Sequence, residues 1–345
     1  MRINKSVSML EAYVPGEQPK VKSAIKLNTN ENPYPPSPEC GKVLRDFDLD
    51  FLRRYPDPVF SDLRKAIAAA NGTRAENVFV GNGSDEILTL MARAFVENNE
   101  SIASLDPSYS LYKTLAAIRD VKWVGSPVEA QAPQIPADVS LFLWTNPNAP
   151  TGALTAPEKI ADFARSFNGV VVVDEAYADF AEANCMHLAV NAQNANLIVM
   201  RTFSKSYSLA GMRVGYCVGP ADLIEALYKI KDSYNVDAVA QAVAFAAFTD
   251  CEYHRECVEK VVKTREFFTA ELQKLGWDVI PSQTNFVFAK PNRMPAAELF
   301  AILREKNIFV RYFPGELTGE RLRITIGTDL EMQELLSVLT PLSRG

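Results

Sequence analysis

The chain has 345 residues, 48% of them hydrophobic, and a net charge of −6. That length and apolar content suit a large buried core, organised as two domains or as one large domain with an appendage. The acidic balance and the lack of a long Lys/Arg block exclude nucleic acid and anionic membrane as the main partner. The longest apolar stretches, such as Gly169-Val-Val-Val-Val-Asp174, stop after a strand's length, far short of the roughly twenty residues that cross a bilayer.

Residues 1–45 read first as an arm. Met1-Arg-Ile-Asn-Lys5 lacks a signal-peptide apolar core, and Leu27-Asn-Thr-Asn-Glu-Asn-Pro-Tyr-Pro-Pro36 is too turn-prone for a helix or a central strand. From Ser61 the pattern becomes regular, with a helix over 61–70 that has Ser61 as N-cap, a strand over 77–80 and a helix over 86–95. Strands at 101–105, 141–144, 170–173 and 197–200 then alternate with helices near 109–118 and 157–166. Such alternation predicts a mainly parallel sheet covered by helices on both faces, with ligands bound beyond the carboxyl ends of its strands.

After the Ala-rich stretch 237–248 come a long helix at 253–275, strands at 277–280, 285–289, 308–310 and 322–326, and a helix at 295–306. The expected division is therefore an arm at 1–45 that also contributes to a small domain, a large domain at 46–240, and a smaller α+β domain at 241–345, with a ligand cleft between the last two.

The chemically suggestive residues follow predicted strands. Lys205 lies in Met200-Arg-Thr-Phe-Ser-Lys-Ser-Tyr-Ser-Leu-Ala-Gly-Met-Arg213, an amine among hydroxyls with a guanidinium eight residues on. A lysine attacks a carbonyl only when deprotonated, and Arg213 with an apolar approach supplies the means to lower its pKa. The ordinary alternative is a solvated lysine after a strand. Gly81-Asn-Gly-Ser-Asp-Glu86 opens a helix and offers N–H groups to an anion, or is only a turn capped by Ser84 or Asp85. A dinucleotide fingerprint is only weakly matched there, because Glu86 stands where a third glycine is needed and no acidic partner follows at the right distance.

Asp174 ends an apolar strand, where a carboxylate needs a cationic or hydrogen-bonding partner. A protonated ring nitrogen would serve, as would an internal arginine or a helix cap. Asn148 sits in a turn cluster, and Tyr109 and Tyr177 are either ring contacts or core aromatics. Arg311 and Arg323 are candidates for clamping an anionic ligand; the second falls in the apolar run 322–326, where a guanidinium needs a partner. Five cysteines (Cys40, Cys185, Cys217, Cys251, Cys257) without a CxxC pair suggest a reducing cytoplasm, and His187 and His254 have no ligand spacing, so no metal site is expected.

In order along the chain, Asn28-Thr-Asn-Glu-Asn-Pro33, Arg54-Tyr-Pro-Asp57, Gly81–Glu86, Asp106-Pro-Ser-Tyr109, Asn146-Pro-Asn-Ala-Pro-Thr-Gly152, Asp174-Glu-Ala-Tyr177, the Lys205 segment, Asn285-Phe and Leu322-Arg-Ile-Thr-Ile-Gly-Thr328 resemble the fold-type I pyridoxal-phosphate aminotransferases. Within them the match is to the histidinol-phosphate aminotransferase family. The resemblance implies an α/β fold of that type, pyridoxal 5′-phosphate as cofactor and a homodimer.

It further implies that Lys205 holds the cofactor and shuttles a proton, that Asp174 contacts the pyridine nitrogen, and that Asn148 and Tyr177 hold the ring's phenolic oxygen. Tyr109 would stack on the ring. Gly83, Ser84, Asp85, Ser204 and Arg213 would hold the phosphate, with Tyr55 reaching in from a second subunit. Asn30, Asn285, Arg311 and Arg323 would meet histidinol phosphate in one half-reaction and glutamate or 2-oxoglutarate in the other. Aromatic amino acid transfer and decarboxylation of a phosphorylated amino acid are the alternatives on the same motifs.

Overall fold

A computed structural model describes residue 3, residues 5–8, residue 10 and residues 16–21, 23–128 and 133–344, so parts of the arm lie outside the described residues. Thirteen strands occur among them: β1 Ile25–Lys26, β2 Val78–Gly81, β3 Ser101–Asp106, β4 Lys122–Pro127, β5 Val139–Thr145, β6 Val170–Asp174, β7 Leu197–Thr202, β8 Gly215–Val218, β9 Asp278–Val279, β10 Phe286–Lys290, β11 Ile308–Phe309, β12 Arg311–Tyr312 and β13 Leu322–Thr325. Seven form one sheet in the order β2-β8-β7-β6-β5-β3-β4. The strands from β3 to β7 pair in parallel, whereas β8 runs antiparallel to both β2 and β7.

Two-residue alternation explains why both faces are dry. Phe142, Trp144, Val171 and Val173 join one hydrophobic cluster, while Leu141, Leu143 and Val172 join the cluster on the opposite face. A strand buried on both sides therefore reads as an unbroken apolar run. The second, four-stranded sheet has the order β12-β13-β10-β9, and its core gathers Phe286, Leu322, Ile324 and Phe268 of the helix Cys251–Lys274.

Several elements depart from the sequence expectation. The helix expected over 86–95 is Gly83–Ala94, three residues earlier, and its N-cap is Asn82; Ser84 and Asp85 lie in its first turn. Ser61 is the first residue of its helix rather than the cap, and its N–H donates to the Asp57 carboxylate at 2.7 Å. The arm is not wholly irregular: β1 pairs in parallel with β11, and a helix runs over Pro38–Asp46. Strands β4 and β8 and the helices Ala221–Ile230 and Asp329–Arg344 are additions to the elements expected from the sequence. No described helix is long and apolar enough to cross a membrane.

Candidate active site

The carboxyl ends of β3, β5, β6 and β7 lie together because these strands are parallel, and β2 ends at the same edge because it is antiparallel to β8, itself antiparallel to β7. Gly215 of β8 is the Cα partner of both Gly81 and Thr202, which aligns the segment after β2 with the segment after β7. A Cβ on Gly215 would lie 2.7 Å from the Ser84 nitrogen, so the close approach of the two segments requires glycine.

Around that junction the expected phosphate ligands converge. Gly83 has φ +80°, and a Cβ there would sit 2.8 Å from Arg213 Nη2. Arg213 Nη1 donates to Ser204 Oγ at 3.2 Å, and its Nη2 is 3.6 Å from Asp85 Oδ2. Asn82 gives the helix no side-chain cap, so its first N–H groups point toward a place where an anion is favoured by the helix dipole. The donor set, a positive helix end with a hydroxyl and a guanidinium over a glycine, fits a phosphate.

Asp174 ends β6 with 4% exposure. Its Oδ2 accepts from the Tyr112 hydroxyl at 2.7 Å and its Oδ1 from the Ala176 N–H at 3.2 Å. Burial, opposed by those two hydrogen bonds and reinforced by Asp85 and Glu175, pushes its carboxyl up to about 6. The internal arginine considered as its partner goes elsewhere: Arg201 pairs with Glu175 at 2.8 Å and Asp179 at 3.2 Å. Asp174 is left as a buried carboxyl served by neutral donors, which suits a cationic ring nitrogen.

Lys205 follows β7, and its Nζ donates to the Thr29 carbonyl of the arm at 3.0 Å and lies 5.9 Å from the Tyr177 ring centre. Burial lowers its amine to about 8, with Arg323 next, Glu31 opposing and Arg213 adding a smaller push. Burial and Arg213 both act in the direction expected from the sequence, and Arg323 of the second sheet adds a larger push than Arg213. At pH 7 an amine of pKa 8 is about 10% neutral, against well under 0.1% for an ordinary lysine. A nucleophilic amine results.

Asn30 joins the two sheets. Its backbone sits at φ 56°, its Nδ2 donates to Tyr177 Oη at 2.9 Å, and its Oδ1 accepts from Thr325 Oγ1 at 3.0 Å. Asn285 Nδ2 donates to the Asn30 carbonyl at 3.0 Å. Asn148 holds the turn after β5, donating to Pro107 O and Thr151 Oγ1 at 3.1 and 2.9 Å and accepting from Ser108 Oγ at 3.2 Å. Tyr109 Oη reaches Asp85 Oδ1 at 3.3 Å.

Arg311 and Arg323 are direct Cα partners across β12 and β13. Their guanidiniums lie 5.2 and 5.1 Å from the Phe313 ring centre, and Arg323 Nη2 donates to the Asn28 carbonyl at 3.1 Å. Direct partners share a sheet face, so the two guanidiniums stand where both can reach one anion. Tyr55 is the one expected site residue the fold leaves outside: it is 79% exposed and stacks on Tyr234 at 4.3 Å.

Sequence reading missed the hydroxyls of Tyr112 and Thr145 behind Asp174, and the group Arg201, Glu175, Asp179 and Ser206 behind Lys205. Tyr112 looked like one more apolar position of a helix.

The pattern of the family described as aminotransferase class I and II matches residues 22–339. The chain is 44% identical to a histidinol-phosphate aminotransferase from Geobacter sp. (strain M21), over 99% of both chains. It is 43% identical to histidinol-phosphate aminotransferase 1 of Nostoc sp. (strain PCC 7120 / SAG 25.82 / UTEX 2576), over 98% of this chain and 97% of that one. A crystal structure of histidinol-phosphate aminotransferase from Sinorhizobium meliloti in complex with pyridoxal-5′-phosphate superposes with a TM-score of 0.90 at 26% identity, covering 99% of this chain and 98% of that one.

Proposed function

The chain belongs to the class I and II aminotransferases, a pyridoxal-phosphate-dependent family of fold type I, and on that premise we propose that it is a histidinol-phosphate:2-oxoglutarate aminotransferase of histidine biosynthesis. The observation that carries the substrate reading is the opposed pair Arg311 and Arg323, the latter close enough to Lys205 to lower its amine, in a chain 44% identical end to end to a relative of that name. One paired cationic site suits both a phosphate and a carboxylate, as the two half-reactions require.

Pyridoxal 5′-phosphate, when bound, supplies a carbonyl that takes up an amine and a ring that draws electrons from the substrate's α-carbon. The chain supplies the rest. Lys205 would hold the cofactor through its neutral amine, and its Nζ, once free, would be the base that takes up and returns the substrate's α-proton. Asp174 would keep the ring nitrogen protonated, Asn148 and Tyr177 would hold the ring oxygen, and Tyr109 would cover the ring. Gly83, Ser84, Asp85, Ser204 and Arg213 anchor the phosphate, while Asn30 and Asn285 hold the arm against the substrate end and Arg323 with Arg311 orients the anion.

The exposed Tyr55 suits a homodimer in which it completes the partner's phosphate site. Five free cysteines suit a cytoplasmic enzyme. The proposed division is an arm at 1–45 that contributes to the small domain, a large cofactor-binding domain at 46–240 and a small domain at 241–345; Cys40 of the arm and Ala240, Val243 and Ala247 of the helix Ala238–Thr249 pack in the large core. Single-turnover spectra test the substrate. Histidinol phosphate is expected to convert the bound cofactor and phenylalanine is not; conversion by phenylalanine alone sinks the histidine-pathway reading.

A further inference from the structure

We infer that Tyr112 is a positioning residue of the site: its hydroxyl, inside a buried chain of hydroxyls that runs from Asn148 to Asp174, fixes the Asp174 carboxyl and favours its ionised form. The inference rests on the reading of Asp174 as the ring-nitrogen partner and deepens it.

Tyr112 lies in the first turn of the helix Leu111–Arg119 and is 0% exposed, so its phenol oxygen has only buried partners. These are Asp174 Oδ2 at 2.7 Å and Thr145 Oγ1 at 2.6 Å. Thr145 in turn is 3.0 Å from Ser108 Oγ, and Ser108 is 3.2 Å from Asn148 Oδ1. An ionised carboxylate only accepts, so the single phenol proton must point at Asp174, and Thr145 must then donate to Tyr112. Ionised Asp174 therefore sets the polarity of the chain as far as Thr145, and the one Ser108 proton goes either to Thr145 or to Asn148 Oδ1. Its two ends, Asn148 and Asp174, are the residues assigned to the ring's phenolic oxygen and to its nitrogen.

The groups facing Asp174 show why the hydroxyl matters. Asp85 from the helix Gly83–Ala94 and Glu175 on the same strand both oppose its ionisation, as does burial, while the Tyr112 hydroxyl and the Ala176 N–H favour it. Burial first, then the Asp174 charge, and least the Tyr109 ring 5.7 Å away make the Tyr112 phenol reluctant to lose its own proton. Tyr112 thus remains a donor. A residue that served only to fill the core would be replaced by phenylalanine with no effect specific to Asp174.

The test compares Tyr112→Phe, Asp174→Asn and the double variant, as apoprotein and on titration with pyridoxal 5′-phosphate. Because the folded carboxyl titrates near 6, above its unfolded value of about 4, its contribution to stability is present below pH 4 and lost as pH rises through 6. Removing the hydroxyl is expected to raise that midpoint by about one unit. Tyr112→Phe should then lose more stability at pH 8 than at pH 5, and that pH dependence should vanish in the Asp174→Asn background. Cofactor affinity should fall about tenfold, and no further in the double variant than in Asp174→Asn alone.

Thr145→Val, which leaves Tyr112 in place but removes its incoming hydrogen bond, should move the midpoint the same way by less. Equal losses at pH 5 and pH 8, a weakening that survives in the Asp174→Asn background, or no response to Thr145→Val would each overturn the inference. Failure of the wild-type protein to take up the cofactor at Lys205 sinks the ring-nitrogen reading instead, and the apoprotein comparison then still decides whether Tyr112 acts on Asp174.

Discussion

Lys205 is held at a cost to the apoprotein, and replacing it tests that cost. Its amine is lowered from the usual 10.5 to about 8, first by burial and then by Arg323. The shift of about 2.5 units corresponds to about 3 kcal/mol of penalty on the charged form, at about 1.4 kcal/mol per unit. A depressed lysine pKa means that the folded state binds fewer protons than the unfolded chain between about pH 8 and 10.5, so stability rises with pH across that window. Below pH 8 the full penalty is felt.

Lys205→Met keeps the apolar stem and discards the charge. The apoprotein of the variant is expected to be more stable than wild type at pH 7 by about 1–2 kcal/mol, the remainder of the ~3 kcal/mol being lost with the hydrogen bond to the Thr29 carbonyl. The advantage should shrink as pH rises from 8, cross zero between about pH 9 and 10, and be reversed by 10.5, where the charge penalty is gone and only the lost hydrogen bond remains. Denaturant melts of both apoproteins at matched pH values measure it, and their difference cancels every other titrating group. A difference that stays flat from pH 7 to 10.5 would refute the claim that Lys205 is held partly desolvated and against Arg323.

Arg323→Gln is expected to lower kcat/KM by roughly 10- to 150-fold, the loss of about 1.5–3 kcal/mol of charge-assisted hydrogen bonding. Steady-state kinetics should show that fall for both histidinol phosphate and 2-oxoglutarate; a defect with only one of them refutes a shared anion site. The same variant should raise the pH of half-maximal labelling of Lys205 above 8, since a lowering charge is removed. Gly83→Ala places a Cβ at φ +80° and 2.8 Å from Arg213 Nη2, so it is expected to weaken cofactor binding by tenfold or more and to cost about 1 kcal/mol of stability. Fluorescence titration of the apoprotein checks this, and unchanged affinity would show that Arg213 and the helix end are not the phosphate seat.

The sheet was legible because its strands are short apolar runs bounded by turn residues, and parallel strands leave that signature on both faces. Strand β8 was not, since Gly215-Tyr-Cys-Val218 follows so soon on the Lys205 segment that its reversal of direction is set by pairing with β2 and β7, which no local pattern records. Lys205, Asp174 and Arg213 stood out because an amine, a carboxylate and a guanidinium at strand ends demand partners. Tyr112 was hidden, since a tyrosine at a buried helical position is explained by packing alone, and its second role exists only through Thr145 and Asp174, 33 and 62 residues away. The influence of Arg323 on Lys205 was hidden for the same reason, as it depends on how the arm sets the second sheet against the first.

That junction explains why so many strained electrostatic choices sit in one place. Asp174 is buried with neutral donors, Lys205 is buried beside a cation, and Arg311 faces Arg323 across two strands. The first two are unfavourable taken singly, and on the proposed function a ligand would relieve them, a protonated ring nitrogen for the carboxylate and a carbonyl for the amine, while the two guanidiniums would take a phosphate or carboxylate. A fold that stores these penalties apart would gain nothing by keeping them. Stored together along one cleft, they make ligand binding recover several of them at once, and Asn30, hydrogen-bonded to Tyr177 on one side and to Thr325 and Asn285 on the other, keeps the two halves of that cleft in register.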